Sequence, residues 1–124
     1  MSDTILIVDD SPSMLMSLSI ALRPTGLTVR EASSGEDALA LIADGLSPRM
    51  ILTDLNMGGM SGIDLVKAVR TRPGMTFVPI VLLTTESQQD MRNLAKAAGA
   101  TGWLVKPFNA DSLVALVKKL VPSG

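Results

Sequence analysis

Two kinds of apolar pattern alternate along the chain. Short runs rich in Val, Ile, Leu and Thr, namely TILIV (4–8), LTVREA (27–32), MILTD (50–54), VPIVLLT (78–84) and GWLV (102–105), are bounded by Gly, Pro, Ser or Asp and predict strands. Within them ILIV and IVLLT are continuously apolar, which suits strands covered on both faces, as in a parallel sheet. Between the runs, apolar residues recur at helical spacing. Pro12 stands at a first helical position, Leu15, Leu18, Ala21 and Leu22 follow on one face, and Gly26 lies beyond the end. Ser34 is placed to cap a helix carrying Ala38, Leu39, Leu41 and Ile42, as Ser61 is for Ile63, Leu65, Val66 and Val69. A fourth helix is expected from about Ser87 to Ala98, stopped by Gly99. A fifth runs from about Ala110 with Leu113, Leu116, Val117 and Leu120 on its apolar stripe. Val114 and Val121 widen that stripe, either as a broad core face or as a partner groove, with Lys118 and Lys119 at its rim.

Five strands alternating with five helices predict an α/β fold, a doubly wound parallel sheet, because parallel strands need right-handed crossover helices. With short loops and no linker, repeat or low-complexity segment, one domain over residues 1–124 is expected, a length that buries enough surface for a single core.

Composition removes several function classes. Lys and Arg total 11 against 12 Asp and Glu, the basic residues are scattered, and the aromatics are Phe77, Trp103 and Phe108, so no nucleic-acid face is expected. The absence of both Cys and His excludes a typical zinc site, a Ser-His-Asp triad, a thiol nucleophile and disulfides, leaving oxygen ligands for any metal. The opening MSDTILIVDD has no basic n-region and a short apolar run, unlike a signal peptide or a membrane span, and a cytoplasmic location with no membrane insertion is expected.

The chemistry gathers where the strands end. In an open α/β sheet, ligands bind outside the carboxyl ends of the strands. The first run ends in Asp9 and Asp10, the third in Asp54 and the fourth in Thr84, and the fifth leads to Lys106 and Pro107. Each Asp taken singly reads equally as a turn or cap residue. Together they repel unless a cation lies among them. Mg2+, which takes carboxylates, waters and phosphate oxygens, fits this set, whereas Ca2+ asks for more ligands. Lys106 and Thr84 could then meet phosphoryl oxygens. In the absence of a G-x-x-x-x-G-K loop, an Asp carboxylate is the candidate nucleophile.

The ordered set DD, TDLNMGGMSG, LLTTES and GWLVKPF closely resembles the receiver domains of two-component response regulators over essentially the whole chain, and among them the stand-alone chemotaxis regulators of the CheY type. The resemblance implies a flavodoxin-like (βα)5 sandwich with strand order 2-1-3-4-5, for which flavodoxin and CheY themselves are the type examples. It further implies that Asp54 accepts a phosphoryl group from a phosphohistidine on a partner histidine kinase, with Mg2+ held by Asp10, Asp54, the Asn56 carbonyl and, through water, Asp9. Thr84 and Lys106 match the phosphoryl-contacting pair, and Trp103 matches the aromatic switch that moves inward with Thr84. Asn56 and Glu86 sit where such domains tune their own dephosphorylation. A cis Lys106–Pro107 bond and a monomer are implied as well. The implied partners are the kinase, the flagellar motor switch and a phosphatase, and the output target is expected on the surface of the fourth helix, the Trp103 strand and the last helix.

One position departs from that pattern: Gly58, followed by Gly59, stands where the family usually has Pro, which predicts a looser loop around Asn56 and weaker Mg2+ binding. Two other readings use the same residues. One is a phosphate sink or relay intermediate. The other is a haloacid-dehalogenase-like aspartyl-phosphate phosphatase, against which stand the early position of the acidic pair and Asn56 in place of a second Asp.

Overall fold

The computed structural model describes residues 3–85 and 89–121. Its strands are β1 (Thr4–Val8), β2 (Thr28–Ala32), β3 (Met50–Asp54), β4 (Ile80–Thr84) and β5 (Gly102–Val105), and its helices α1 (Pro12–Ala21), α2 (Gly35–Ala43), α3 (Gly62–Arg70), α4 (Gln89–Ala98) and α5 (Ala110–Leu120). All strand pairings are parallel, in the order β2-β1-β3-β4-β5. This is the doubly wound, flavodoxin-like arrangement that the resemblance implies.

Strand alternation divides the core in two. Leu6, Val8, Ile51, Ile80 and Leu82 face α2, α3 and α4, whereas Ile5, Ile7, Met50, Leu52, Val81 and Leu83 face α1 and α5. Both faces of the central strands are therefore apolar, which is why ILIV and IVLLT show no alternation in sequence. Val121 belongs to the second core and is 7% exposed, while Val114 is half-buried, so the wide stripe of α5 serves mainly as a core face. Lys118 and Lys119 are exposed at its rim.

The caps expected at Ser34 and Ser61 form, and Ser11 adds another: their side chains accept from the backbone N–H groups of Asp37, Asp64 and Met14, and Ser61 and Asp64 complete a capping box. Gly99 takes φ +108° just after α4, as a left-handed stop requires. Ser87, the expected start of that helix, lies outside the described residues.

Three details differ from the sequence reading. β4 starts at Ile80 instead of Val78, because Pro79 has no N–H to give a ladder and the Val78 carbonyl accepts from Arg70 Nη1 at 2.7 Å. β2 starts at Thr28, since the Leu27 N–H donates to Thr25 Oγ1 at 3.2 Å. A 3-10 turn over Arg23–Thr25 separates α1 from Gly26, which takes φ +75°.

Arg70 organises the 71–79 connection in a way that its sequence position does not reveal. Its guanidinium donates to the carbonyls of Met75 (2.9 Å), Val78 (2.7 Å) and Gly99 (2.8 Å from Nη2, 3.1 Å from Nε), tying the end of α3 to the approaches of β4 and β5. Burial lowers its pKa from the usual guanidinium value. Among the described residues, no helix is long and apolar enough to cross a membrane.

Candidate functional site

Parallel register brings the acidic residues to one rim. Val8 pairs with Thr53 across β1 and β3, so the residues that follow, Asp9 and Asp54, leave the sheet side by side. The ladder continues one step beyond β1, where the Asp9 N–H donates to the Ala32 carbonyl at 3.1 Å. Asp9 is 1% and Asp54 7% exposed, whereas Asp10 lies in the open. One carboxylate oxygen from each of the three lies within 4.8 Å of the others.

The local chain fixes these side chains from below. The Ser11 N–H donates to Asp9 Oδ1 at 2.9 Å while the Ser11 hydroxyl caps α1, so the turn between strand and helix pins one Asp9 oxygen. The second oxygen, Oδ2, is buried and has no hydrogen-bond partner among the described residues. It faces Lys106 Nζ at 3.5 Å, longer than a hydrogen bond. Lys106 Nζ reaches Asp54 Oδ1 at 3.0 Å and donates to it. Lys106 is carried there by β5, which pairs Val105 with Thr84, and by the donation of its own N–H to the Thr84 carbonyl at 2.7 Å. The bond to Pro107 that follows is cis.

The electrostatics follow from this crowding. Burial is the main reason that the Asp54 carboxyl titrates above its ordinary range; the hydrogen bond and charge of Lys106 pull it back, and the charges of Asp9 and Asp10 push it up further. Burial alone would lower the Lys106 ammonium, but its hydrogen bond to Asp54 and the charges of Asp54 and Asp9 outweigh that and raise its pKa. The rim thus carries more negative charge than one lysine neutralises.

The donor set fits a hard divalent cation. Three carboxylates offer oxygen only, one buried oxygen lacks a hydrogen bond among the described residues, and Asp10 leaves the site open to water. Thr84, 1% exposed at the end of β4, stands on the strand beside Asp54. Trp103 is half-buried in β5 and packs on the core beneath α3 and α4. Asn56 is exposed in the loop after β3. Glu86 lies outside the described residues.

Two glycines prove closer to the site than their spacing suggests. A Cβ on Gly62 would meet the Asp54 carbonyl, Leu82 Cδ2 at 2.8 Å and Leu55 Cα at 3.0 Å, so α3 can start against the end of β3 only with glycine there. The Gly58 N–H donates to Asp10 Oδ2 across a long 3.4 Å, a bond that proline could not make. Only the runs of Gly in MGGMSG hint at either role.

Comparisons with known proteins agree with this geometry. The family model described as the response regulator receiver domain matches residues 5–118. The chain is 38% identical to the chemotaxis protein CheY of Pseudomonas aeruginosa, over 94% of each chain. Among solved structures it is similar to the chemotaxis protein CheY4 of Vibrio cholerae, with TM-score 0.90 and 40% identity over 97% of this chain and 99% of that one. It is also similar to the receiver domain of the sensor histidine kinase PA1611 from Pseudomonas aeruginosa, whose structure has a magnesium ion coordinated in the active-site cleft; the TM-score is 0.87 and the identity 26%, over 99% of this chain and 100% of that one.

Proposed function

Because the chain belongs to the response regulator receiver domain family, we propose that it is a CheY-like phosphoacceptor switch that takes a phosphoryl group on Asp54 from a histidine kinase. The carrying observation is the cluster of Asp9, Asp10 and Asp54 with oxygens within 4.8 Å of one another, beside the ammonium of Lys106. A lone buried acid would be an ordinary turn residue; three acids and a lysine at the carboxyl rim of a parallel sheet suit phosphoryl transfer.

Asp9, Asp10, Asp54 and the Asn56 carbonyl are the residues that hold Mg2+ in this reading. A bound Mg2+ supplies charge neutralisation between the carboxylates and the phosphoryl oxygens. A carboxylate oxygen of Asp54 attacks phosphorus, the phosphorus–nitrogen bond of the donor phosphohistidine breaks, and the electron pair leaves with the imidazole. Lys106 shifts its contact from the Asp54 carboxylate to the transferred group, and the Thr84 hydroxyl donates to another phosphoryl oxygen. Asn56 and Glu86 tune the later attack of water on the acyl phosphate. The single domain acts as a cytoplasmic, monomeric signalling unit and not as a turnover enzyme.

Phosphorylation adds about −1.5 to −2 charge at the rim, and Thr84 and Trp103 carry the change toward α4, β5 and α5. That face presents Leu94 (55% exposed) and Val105 (36% exposed) to a target such as the flagellar motor switch. Asp54→Asn tests the assignment directly. Wild-type protein with Mg2+ and radiolabelled acetyl phosphate should take up label, and the variant should take up none; label that persists in the variant overturns the role of Asp54.

A further inference from the structure

Arg92 Cζ lies 5.8 Å from the centroid of the Trp103 ring, within the distance at which a guanidinium is drawn to an indole face. Arg92 is exposed on α4, and among the described residues its guanidinium has no carboxylate partner, since the ion pairs found there involve Arg49 and Lys106. The ring is therefore the contact that orients it. α4 is otherwise lightly seated: Ala95 is its one buried residue, with Met91 and Ala98 packed in part on the core that also receives Trp103. Arg92 stands one turn before Ala95, on the flank by which the helix is seated.

We propose that Arg92 is a positioning residue of the switch, its guanidinium holding the Trp103 indole in the resting conformation and so tying α4 to β5. The proposal rests on the reading above in which Trp103 and Thr84 move on phosphorylation. An indole that swings inward leaves the guanidinium without a ring, so the contact weights the equilibrium toward the resting state. A cation–π contact at an exposed site shifts such an equilibrium about two- to fivefold. Arginine at this position therefore raises the phosphoryl occupancy needed to move α4, and a partner that displaces Arg92 from the ring lowers it.

The experiment compares wild type with Arg92→Met, which keeps an unbranched, helix-favouring stem without charge, and Arg92→Lys, which keeps a cation. Each protein with Mg2+ is titrated with beryllium fluoride, a mimic of the phosphoryl group, while Trp103 emission is followed and binding is monitored separately by fluorine NMR. Arg92→Met should reach its midpoint at about two- to fivefold lower beryllium fluoride, with Arg92→Lys close to wild type. An unshifted midpoint in Arg92→Met, or an equal shift in Arg92→Lys, overturns the role of Arg92. Wild-type protein that binds beryllium fluoride with no change in Trp103 emission overturns the underlying switch reading instead.

Discussion

Lys106 Nζ stands 3.0 Å from Asp54 Oδ1 and donates to it, so the cation that the resting chain supplies is already in contact with the proposed acceptor. The same ammonium faces Asp9 Oδ2 at 3.5 Å, a buried oxygen with no hydrogen-bond partner among the described residues. Lysine therefore partly offsets the repulsion of the two buried acids, and Asp10 adds a third charge at the exposed edge. A receiver site built this way is strained electrostatically until more positive charge arrives.

Removing that ammonium leaves Asp9 and Asp54 without their cation. Lys106→Met is expected to destabilise the chain by about 1–3 kcal/mol in chelator, below the cost of breaking a fully buried pair because the Lys106 side chain is 17% exposed. Thermal melts should show a larger gain from Mg2+ in the variant than in wild type. Equal gains would disprove the idea that lysine and metal relieve the same repulsion.

Asp54 carries the opposite sign. Its folded-state pKa is raised, chiefly by burial, so its ionised form costs stability above that pKa, and the cost is relieved as pH falls through it toward the unfolded value. Asp54→Asn should therefore be more stable than wild type near pH 7 in chelator, with the advantage shrinking as acid protonates Asp54. Urea titrations at several pH values check this; a pH-independent difference would contradict it.

Glycine at position 62 keeps α3 against the carbonyl of Asp54. Gly62→Ala should cost about 1–3 kcal/mol by overpacking, because the neighbours are backbone atoms and Leu82. Gly35→Ala, whose Cβ would meet Met60 Sδ at 2.7 Å, should cost less, since a thioether side chain can move aside. Denaturant midpoints of the two variants compare them on one scale.

Gly58 donates its N–H to Asp10 in the loop that the sequence predicts to be looser than one with proline. No atom lies within 4 Å of a Cβ built there, and Gly58→Pro removes the donor and pre-sets the backbone, with the exposed Asp10 side chain turning away from the ring. Mg2+ affinity by calorimetry should rise about two- to fivefold. Unchanged affinity would remove Gly58 from the account of metal binding.

Much of this was legible along the chain. The strand at 4–8, the serine caps at 34 and 61 and the terminal acids of β1 and β3 are local features, set by apolar runs, hydroxyl caps and charge. The Arg70 connection was not legible, because its acceptors lie on Met75, Val78 and Gly99, and carbonyls carry no side-chain signature. The same holds for Gly62, whose need for a missing Cβ arises from the carbonyl of Asp54 in another element.

The sequence by itself determined which residues are apolar on which period, hence the alternation of strand and helix and the supply of Asp9, Asp10, Asp54, Thr84 and Lys106 at element ends. Periodicity is a local property and needs no partner. Tertiary structure alone decided that Asp9 and Asp54 emerge side by side, that Lys106 closes on both, and that Arg92 covers Trp103, because strand register and helix docking bring together residues far apart in the chain. Only that convergence lets the charges of Lys106, Asp9 and Asp10 act on the buried Asp54 and gathers oxygens that could hold a metal.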